Sequence, residues 1–198
     1  QQTASRELFL ETVTEQVDHA MNVYLDNAAT TPMLPEVVEA MLPYMRDHFG
    51  NPSSTHQFGR RTKTAIEQSR RQIAGQLGVE PRTVCFTSGG TESDNMALHA
   101  SVDQLGCKRI LTCATEHSAV LKTAEHLGKR DDVTCGLLQL DAAGKVDLHQ
   151  LAITLSDGIP TVVSVMHGNN EVGILQDIEA IGQCCWDHNA LFHSDTVQ

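Results

Sequence analysis

The sequence predicts an α/β fold, a mostly parallel sheet flanked by helices. Three observations predict it. Short β-type runs alternate with helix-patterned runs from Val84 to His193. The intervening segments are long enough for crossover helices, which parallel pairing requires. Polar, glycine-bearing stretches recur just after the β-type runs, where open α/β sheets bind their ligands.

Residues 1–20 are polar, with a short helical pattern through Leu8, Leu10 and Val13. The chain begins at Gln, and Met21 stands just before "NVYLDNAATTP". Residues 1–20 therefore read as an N-terminal extension, and 21–198 as the folded part. Met33–Asp47 is patterned as a helix, with Val37, Ala40, Met41 and Tyr44 on one face. "FGNPSSTHQFG" reads as a loop. Arg60–Leu77 reads as an amphipathic helix stopped by Gly78. Strands are expected at Val84–Thr87, Arg109–Cys113, Val133–Leu140, Thr161–Met166 and Leu191–His193. Helices are expected between them, reaching about Leu105 and Lys129 and starting near Asp147 and Gln176, with a turn at "DAAGK".

The composition is that of a soluble globular protein, and the net charge of −11 argues against an electrostatic grip on nucleic acid or anionic membrane. No apolar run approaches the roughly 20 residues that span a bilayer. No basic region followed by an apolar one marks a signal peptide. The six cysteines show no regular spacing. They are expected as reduced thiols of a cytoplasmic protein, with Cys184 and Cys185 placed one thiol inward and one toward solvent. Cys184 and His188, four apart with Cys185 and His193 nearby, could share a face as metal ligands, but they lack a regular pair of ligand pairs; no metal site is assigned.

Four strand ends carry the candidate site. After Thr87 come Ser88, Gly89, Gly90 and Thr91; bare backbone N–H groups at a helix start suit an anion, while the alternative is a tight turn with a Thr cap. "ATEHSAV" offers His117 near a helix start, as a ligand or as a structural histidine. "HGNNEVG" offers Asn170, as a ligand contact or in an Asx turn. "HSDTVQ" offers Asp195, a carboxylate leaving a buried edge that calls for a cation or several donors, or else a helix cap. Together these are a phosphate-type cradle, a ring-sized histidine, an amide and an acid at one end of one sheet. That set suits a phosphorylated aromatic cation.

Six ordered motifs, "VYLDNAATTP", "FGNPSS-H-FG", "FTSGGTESDN", "TEHSAV", "VSVMHGNNEVG" and "FHSDTVQ", resemble the NifS/IscS-type cysteine desulfurases. These are class V members of the fold-type I pyridoxal 5'-phosphate (PLP) enzymes. The resemblance runs from about Val23 to Gln198. It implies that Gly90 and Thr91 hold the PLP phosphate. It implies that His117 stacks on the ring and takes part in proton transfer, and that Asp195 pairs with the pyridinium nitrogen. Asn170 would lie beside the phenolic oxygen and the substrate carboxylate, with Gln198 donating to that oxygen. The implied reaction takes sulfur from L-cysteine, leaving alanine and an enzyme persulfide. The sulfur then passes to Fe–S cluster scaffolds or tRNA-thiolation proteins. A homodimer is implied as well.

The Schiff-base lysine, the persulfide cysteine and the arginine that grips the substrate carboxylate belong to later motifs of that family. None of the five lysines or six cysteines here matches those positions. The expectation is that this chain carries the N-terminal part of the PLP-binding large domain, incomplete at the C-terminus, and that alone it releases no alanine from cysteine. A selenocysteine lyase or other class V aminotransferase, and a non-catalytic desulfurase-like interaction module, are the rival readings.

Overall fold

The computed structural model describes residues 23–198; the expected extension at 1–20 lies outside the described residues. The chain divides into two units, one through Met33 and the other Leu34–Gln198. In the first, the Asp26 carbonyl accepts from the N–H groups of Ala29 and Thr30, closing a turn.

The larger unit opens with helices α1 (Pro35–Arg46) and α2 (Gln57–Leu77). Pro35 begins α1 where its missing N–H costs nothing. His56 caps α2 three residues earlier than the pattern suggested, accepting from the Gly59 N–H. Gly78 ends α2 with φ +66°, a left-handed conformation that glycine adopts without strain. Then follow α3 (Gly90–Asp103), β1 (Arg109–Thr112), α4 (Ser118–Leu127), β2 (Thr134–Leu137), α5 (Leu148–Leu155), β3 (Thr161–Ser164), α6 (Ile178–Asp187) and β4 (Leu191–His193).

All three strand pairings are parallel, in the order β2-β1-β3-β4. The α/β expectation holds. Every residue of the central strands β1 and β3 is buried, as parallel strands covered on both faces require. Alternate residues separate two cores. Ile110 and Val162 face Leu98, Val102, Val120 and Leu127 of α3 and α4. Leu111 and Val163 face Leu151, Leu155, Ile181 and Cys185 of α5 and α6. Cys185 is buried and Cys184 half-buried, as expected, and His188 Nδ1 lies 2.8 Å from the Cys184 carbonyl oxygen.

One expected strand is not formed. Val84–Thr87 is extended at Val84 but pairs with no strand among the described residues. Its residue types suit a pleated surface, yet a strand exists only where a neighbour supplies ladder hydrogen bonds. The segment is held by side chains instead: Arg70 bonds the Val84 carbonyl and lies 4.9 Å from the Phe86 ring centre. The expected strand over Val133–Leu140 is shorter for a related reason. Only Thr134–Leu137 find partners on β1.

Candidate functional site

The parallel strands aim their carboxyl ends the same way, so the segments after β1, β3 and β4 converge at one edge. Helix α3 contributes its first turn there. Glu92 reaches back to accept from the N–H of Ser88, the residue before the Gly89 N-cap, at 2.6 Å, which fixes the turn. Its carboxyl is held below the ordinary range by Ser88. Thr87 Oγ1 adds a 2.6 Å bond to Ser93 Oγ. These contacts leave the Gly90 and Thr91 N–H groups at the open start of the helix, with Thr91 exposed.

His117 is the N-cap of α4. Its Nδ1 accepts from the Ala119 N–H at 3.2 Å, which leaves Nε2 as the ring nitrogen available to a partner. Structural and ligand-facing readings of this histidine are thus compatible, one for each nitrogen. His117 and Asn170 line one cavity with Thr115, Glu116 and Asn169. The Asx turn considered for Asn170 is made by Asn169. Its Oδ1 accepts from Glu171 and Val172 N–H at 2.8 Å each, and its Nδ2 donates to the Thr115 carbonyl. Asn170 is exposed in the cavity wall.

Asp195 is half-buried, its Oδ1 accepting from the Val197 N–H at 3.0 Å. A ring nitrogen of His117 and one carboxylate oxygen each from Asp195 and Asp94 lie within 4.8 Å of one another. Val197 sits beside Gly90, and Gln198 beside Gly168; a Cβ built on these glycines would come 3.0 Å from Val197 Cγ2 and 3.8 Å from Gln198 Cβ. Gly90, Thr91, His117, Asn170, Asp195 and Gln198 therefore share one edge of the sheet.

Three further polar side chains occupy this edge: Asp94 and Glu116, which the sequence did not single out, and His193, which it offered only beside Cys184, Cys185 and His188 as a metal ligand. The fully buried acid is Asp94, 3% exposed, while Asp195 is only half-buried. Burial and the neighbouring Asp195 carboxylate push Asp94 up to about 6, with His117 pulling the other way. Glu116 is also buried, with Oε1 accepting from the Met166 N–H and Oε2 lacking a partner. Burial raises it to about 7 against that hydrogen bond, and Asp195 and Asp94 add to the rise. His193, at the end of β4, places Nδ1 2.9 Å from Ser164 Oγ and Nε2 3.6 Å from Asp94 Oδ1. Burial lowers its pKa, so the ring is neutral near pH 7, and Asp195 pulls the other way.

A signal for Asp94 existed. Asp94, Leu98, Ser101 and Val102 form the buried face of α3, spaced at i, i+4, i+7 and i+8. An acid at the head of an apolar stripe is costly unless a positive partner meets it. Glu116 carried no comparable pattern, because it lies in a connecting segment without periodicity.

The profile of the family described as aminotransferase class-V matches residues 23–198. A relative from Dictyoglomus turgidum, described as cysteine desulfurase IscS, is 44% identical over 180 residues, covering 89% of this chain and 45% of its own length. A solved structure titled NifS-like protein superposes with a TM-score of 0.83 at 36% identity, covering 90% of this chain and 49% of its own. Another, titled SspA in complex with cysteine, superposes at 0.80 with 34% identity, covering 89% and 51%. The chain thus spans about half the length of the relatives it matches. From a matching profile over nearly all of its described residues, and from the same fold in its solved relatives, the chain belongs to the class-V aminotransferase family.

Proposed function

We propose that this chain is the cofactor-grasping part of a PLP-dependent cysteine desulfurase. The observation that carries the reading is the convergence of Asp195, Asp94 and His117 within 4.8 Å, next to the open N-terminus of α3. The group that satisfies this edge is a planar cation with an anionic tail. Two carboxyl groups need a positive partner, and the bare N–H groups at Gly90 and Thr91 need a negative one. PLP offers both, and when bound it supplies an electron sink for the bond broken at the substrate's α-carbon.

In this reading the chain's own residues bind, orient and hold charge. The first turn of α3 binds the phosphate through the Gly90 and Thr91 N–H groups and the Thr91 hydroxyl. His117 would pack against the ring, its Nδ1 engaged by its own helix and Nε2 left to hold or release a proton. Asp195 holds the ring nitrogen protonated, its Oδ1 fixed by the Val197 N–H. Asn170 and Gln198 orient the phenolic oxygen, with Asn170 also toward the substrate carboxylate. Residues 21–198 form the N-terminal part of the large domain.

L-Cysteine as substrate is supported by the relatives described as cysteine desulfurases and by the cysteine-bound solved structure. Delivery of sulfur to an Fe–S scaffold or other acceptor protein, a homodimeric assembly and a cytoplasmic location complete the proposal. Among the described residues no helix is long and apolar enough to cross a membrane. The test is made on the full-length protein. It should bind one PLP per chain and convert L-cysteine to alanine with a protein-bound persulfide, and Asp195→Ala and His117→Ala should abolish turnover. Saturating PLP without cysteine-dependent alanine would overturn the reading.

A further inference from the structure

We propose that Asp94 is a positioning residue for the cofactor ring. It is a second carboxylate that, together with Asp195, keeps the ring nitrogen protonated, and the Ser164–His193 pair fixes the direction of its carboxyl group. The inference rests on the PLP reading above and deepens it by one residue.

Asp94 stands on the core face of α3, in register with Leu98 and Val102, where an apolar side chain would pack at no electrostatic cost. It is 3% exposed, and its carboxyl group makes no hydrogen bond among the described residues. The charged and titratable groups facing it are Asp195 and His193 from the end of β4, His117 from the cap of α4, and Glu116 from the segment before it. Neither a lysine nor an arginine is among them. A buried carboxylate facing two other acids does nothing for packing, because an asparagine or leucine would pack there more stably. A positive ring held by Asp195 supplies what is missing.

The orientation of Asp94 is built in from behind. His193 is neutral near pH 7. Ser164 Oγ lies 2.9 Å from Nδ1, and when that hydroxyl donates, the ring proton sits on Nε2 and faces Asp94 Oδ1 at 3.6 Å. Ser164 closes the buried strand β3, so the relay is anchored in the most rigid part of the sheet. One oxygen of Asp195 accepts from the Val197 N–H. Asp94 places a second carboxylate oxygen within 4.8 Å of an oxygen of Asp195 and of a ring nitrogen of His117.

A carboxylate that merely holds the fold and one that recognises the ring nitrogen are separated by an analogue. Apo full-length protein is titrated with PLP and with the PLP analogue in which a C–H replaces the ring nitrogen, following absorbance. The wild type should prefer PLP. In Asp94→Asn, which keeps the shape and removes the charge, that preference should fall about tenfold, the equivalent of one pKa unit at the ring nitrogen. PLP binding should weaken while binding of the analogue stays within about twofold. Asp94→Ser serves as the second variant, and circular dichroism checks the fold of each. An unchanged preference in both variants overturns the role of Asp94 and leaves the PLP reading standing. Equal loss of both ligands shows a merely structural acid and also overturns it. A wild type that binds neither ligand, or does not distinguish them, overturns the PLP reading and the inference with it.

Discussion

A methyl group on Gly90 would stand 3.0 Å from Cγ2 of Val197, so the first residue of α3 meets the segment that carries Asp195 with no room for a Cβ unless Val197 gives way. The glycine lets the two halves of the site approach each other. Gly90→Ala forces Val197 to give by a few tenths of an ångström, and Gly90→Val forces a larger shift of the 195–198 segment. PLP affinity of the full-length protein should fall about tenfold for the alanine variant and further for the valine variant, as overpacking of about 1–3 kcal/mol implies. Absorbance titration measures it. An alanine variant with wild-type affinity would show that the two segments need not meet.

Asp94 and Glu116 make the stability of the cofactor-free protein sensitive to pH, and the sign follows from their direction. Asp94 is raised from 3.8 to about 6 and Glu116 from 4.5 to about 7. An acid raised on folding binds its proton more tightly in the native state, so stability is present at low pH and is lost as pH rises through these intervals. The facing groups are Asp195, His193 and His117. Urea unfolding of apo full-length protein should find Asp94→Asn more stable than wild type at pH 8 by about 3 kcal/mol, from a shift of about two pKa units at about 1.4 kcal/mol each. The two curves should converge near pH 4. A difference that does not vary with pH would show that folding leaves the Asp94 carboxyl unshifted from its ordinary value.

The alternation of β-type and helical runs made the sheet legible, because each period reports which face of its element is buried. Leu111 and Val163 facing one core, with Ile110 and Val162 facing the other, is the structural form of that pattern. The strand-end rule then gathered His117, Asn170 and Asp195 to one edge. Val84–Thr87 was misread because residue types carry propensity, whereas a strand is a property of a pair. Asp94 was legible at the head of the stripe it shares with Leu98 and Val102, and was passed over because that stripe was read for packing and not for a buried charge. Glu116 was passed over because it became significant only beside Met166, 50 residues away in sequence.

Asn169 and Asn170 are adjacent and should behave oppositely. Asn169 uses its side-chain oxygen on two backbone N–H groups and its amide on Thr115, pinning the loop after β3 to the loop after β1. Asn169→Ala should lower stability by about 1–3 kcal/mol through the unpaired backbone groups it leaves. Asn170→Ala should leave stability within about 0.5 kcal/mol, as for a side chain bonded to nothing in the fold. It should instead reduce cysteine turnover. Thermal melts and kinetics on both variants decide the matter, and a stable Asn169→Ala would contradict the assignment.

Arg109 opens β1 and ties the sheet to the helix before β3. Its Nη1 and Nη2 donate to the two carboxylate oxygens of Asp157 at 2.6 and 2.9 Å. Nε donates to Thr161 Oγ1 at 2.9 Å, and Nη2 also reaches the Thr154 carbonyl at 3.0 Å. The residue is 9% exposed, and of its acceptors Thr161 is buried while Asp157 and Thr154 are exposed, so its removal leaves one buried acceptor without its donor. Arg109→Ala should cost about 1–3 kcal/mol in urea unfolding. Arg109→Lys should recover only part of this, because an ammonium keeps the charge and loses the fork. The guanidinium holds Asp157 below the usual carboxylate range, so the pair's contribution is present above that ordinary value and is lost as pH falls through the lowered one. Wild type and Arg109→Ala should therefore draw together in stability at acidic pH. A gap that stays constant from pH 7 to pH 2 would mean that packing, not the ion pair, fixes this joint.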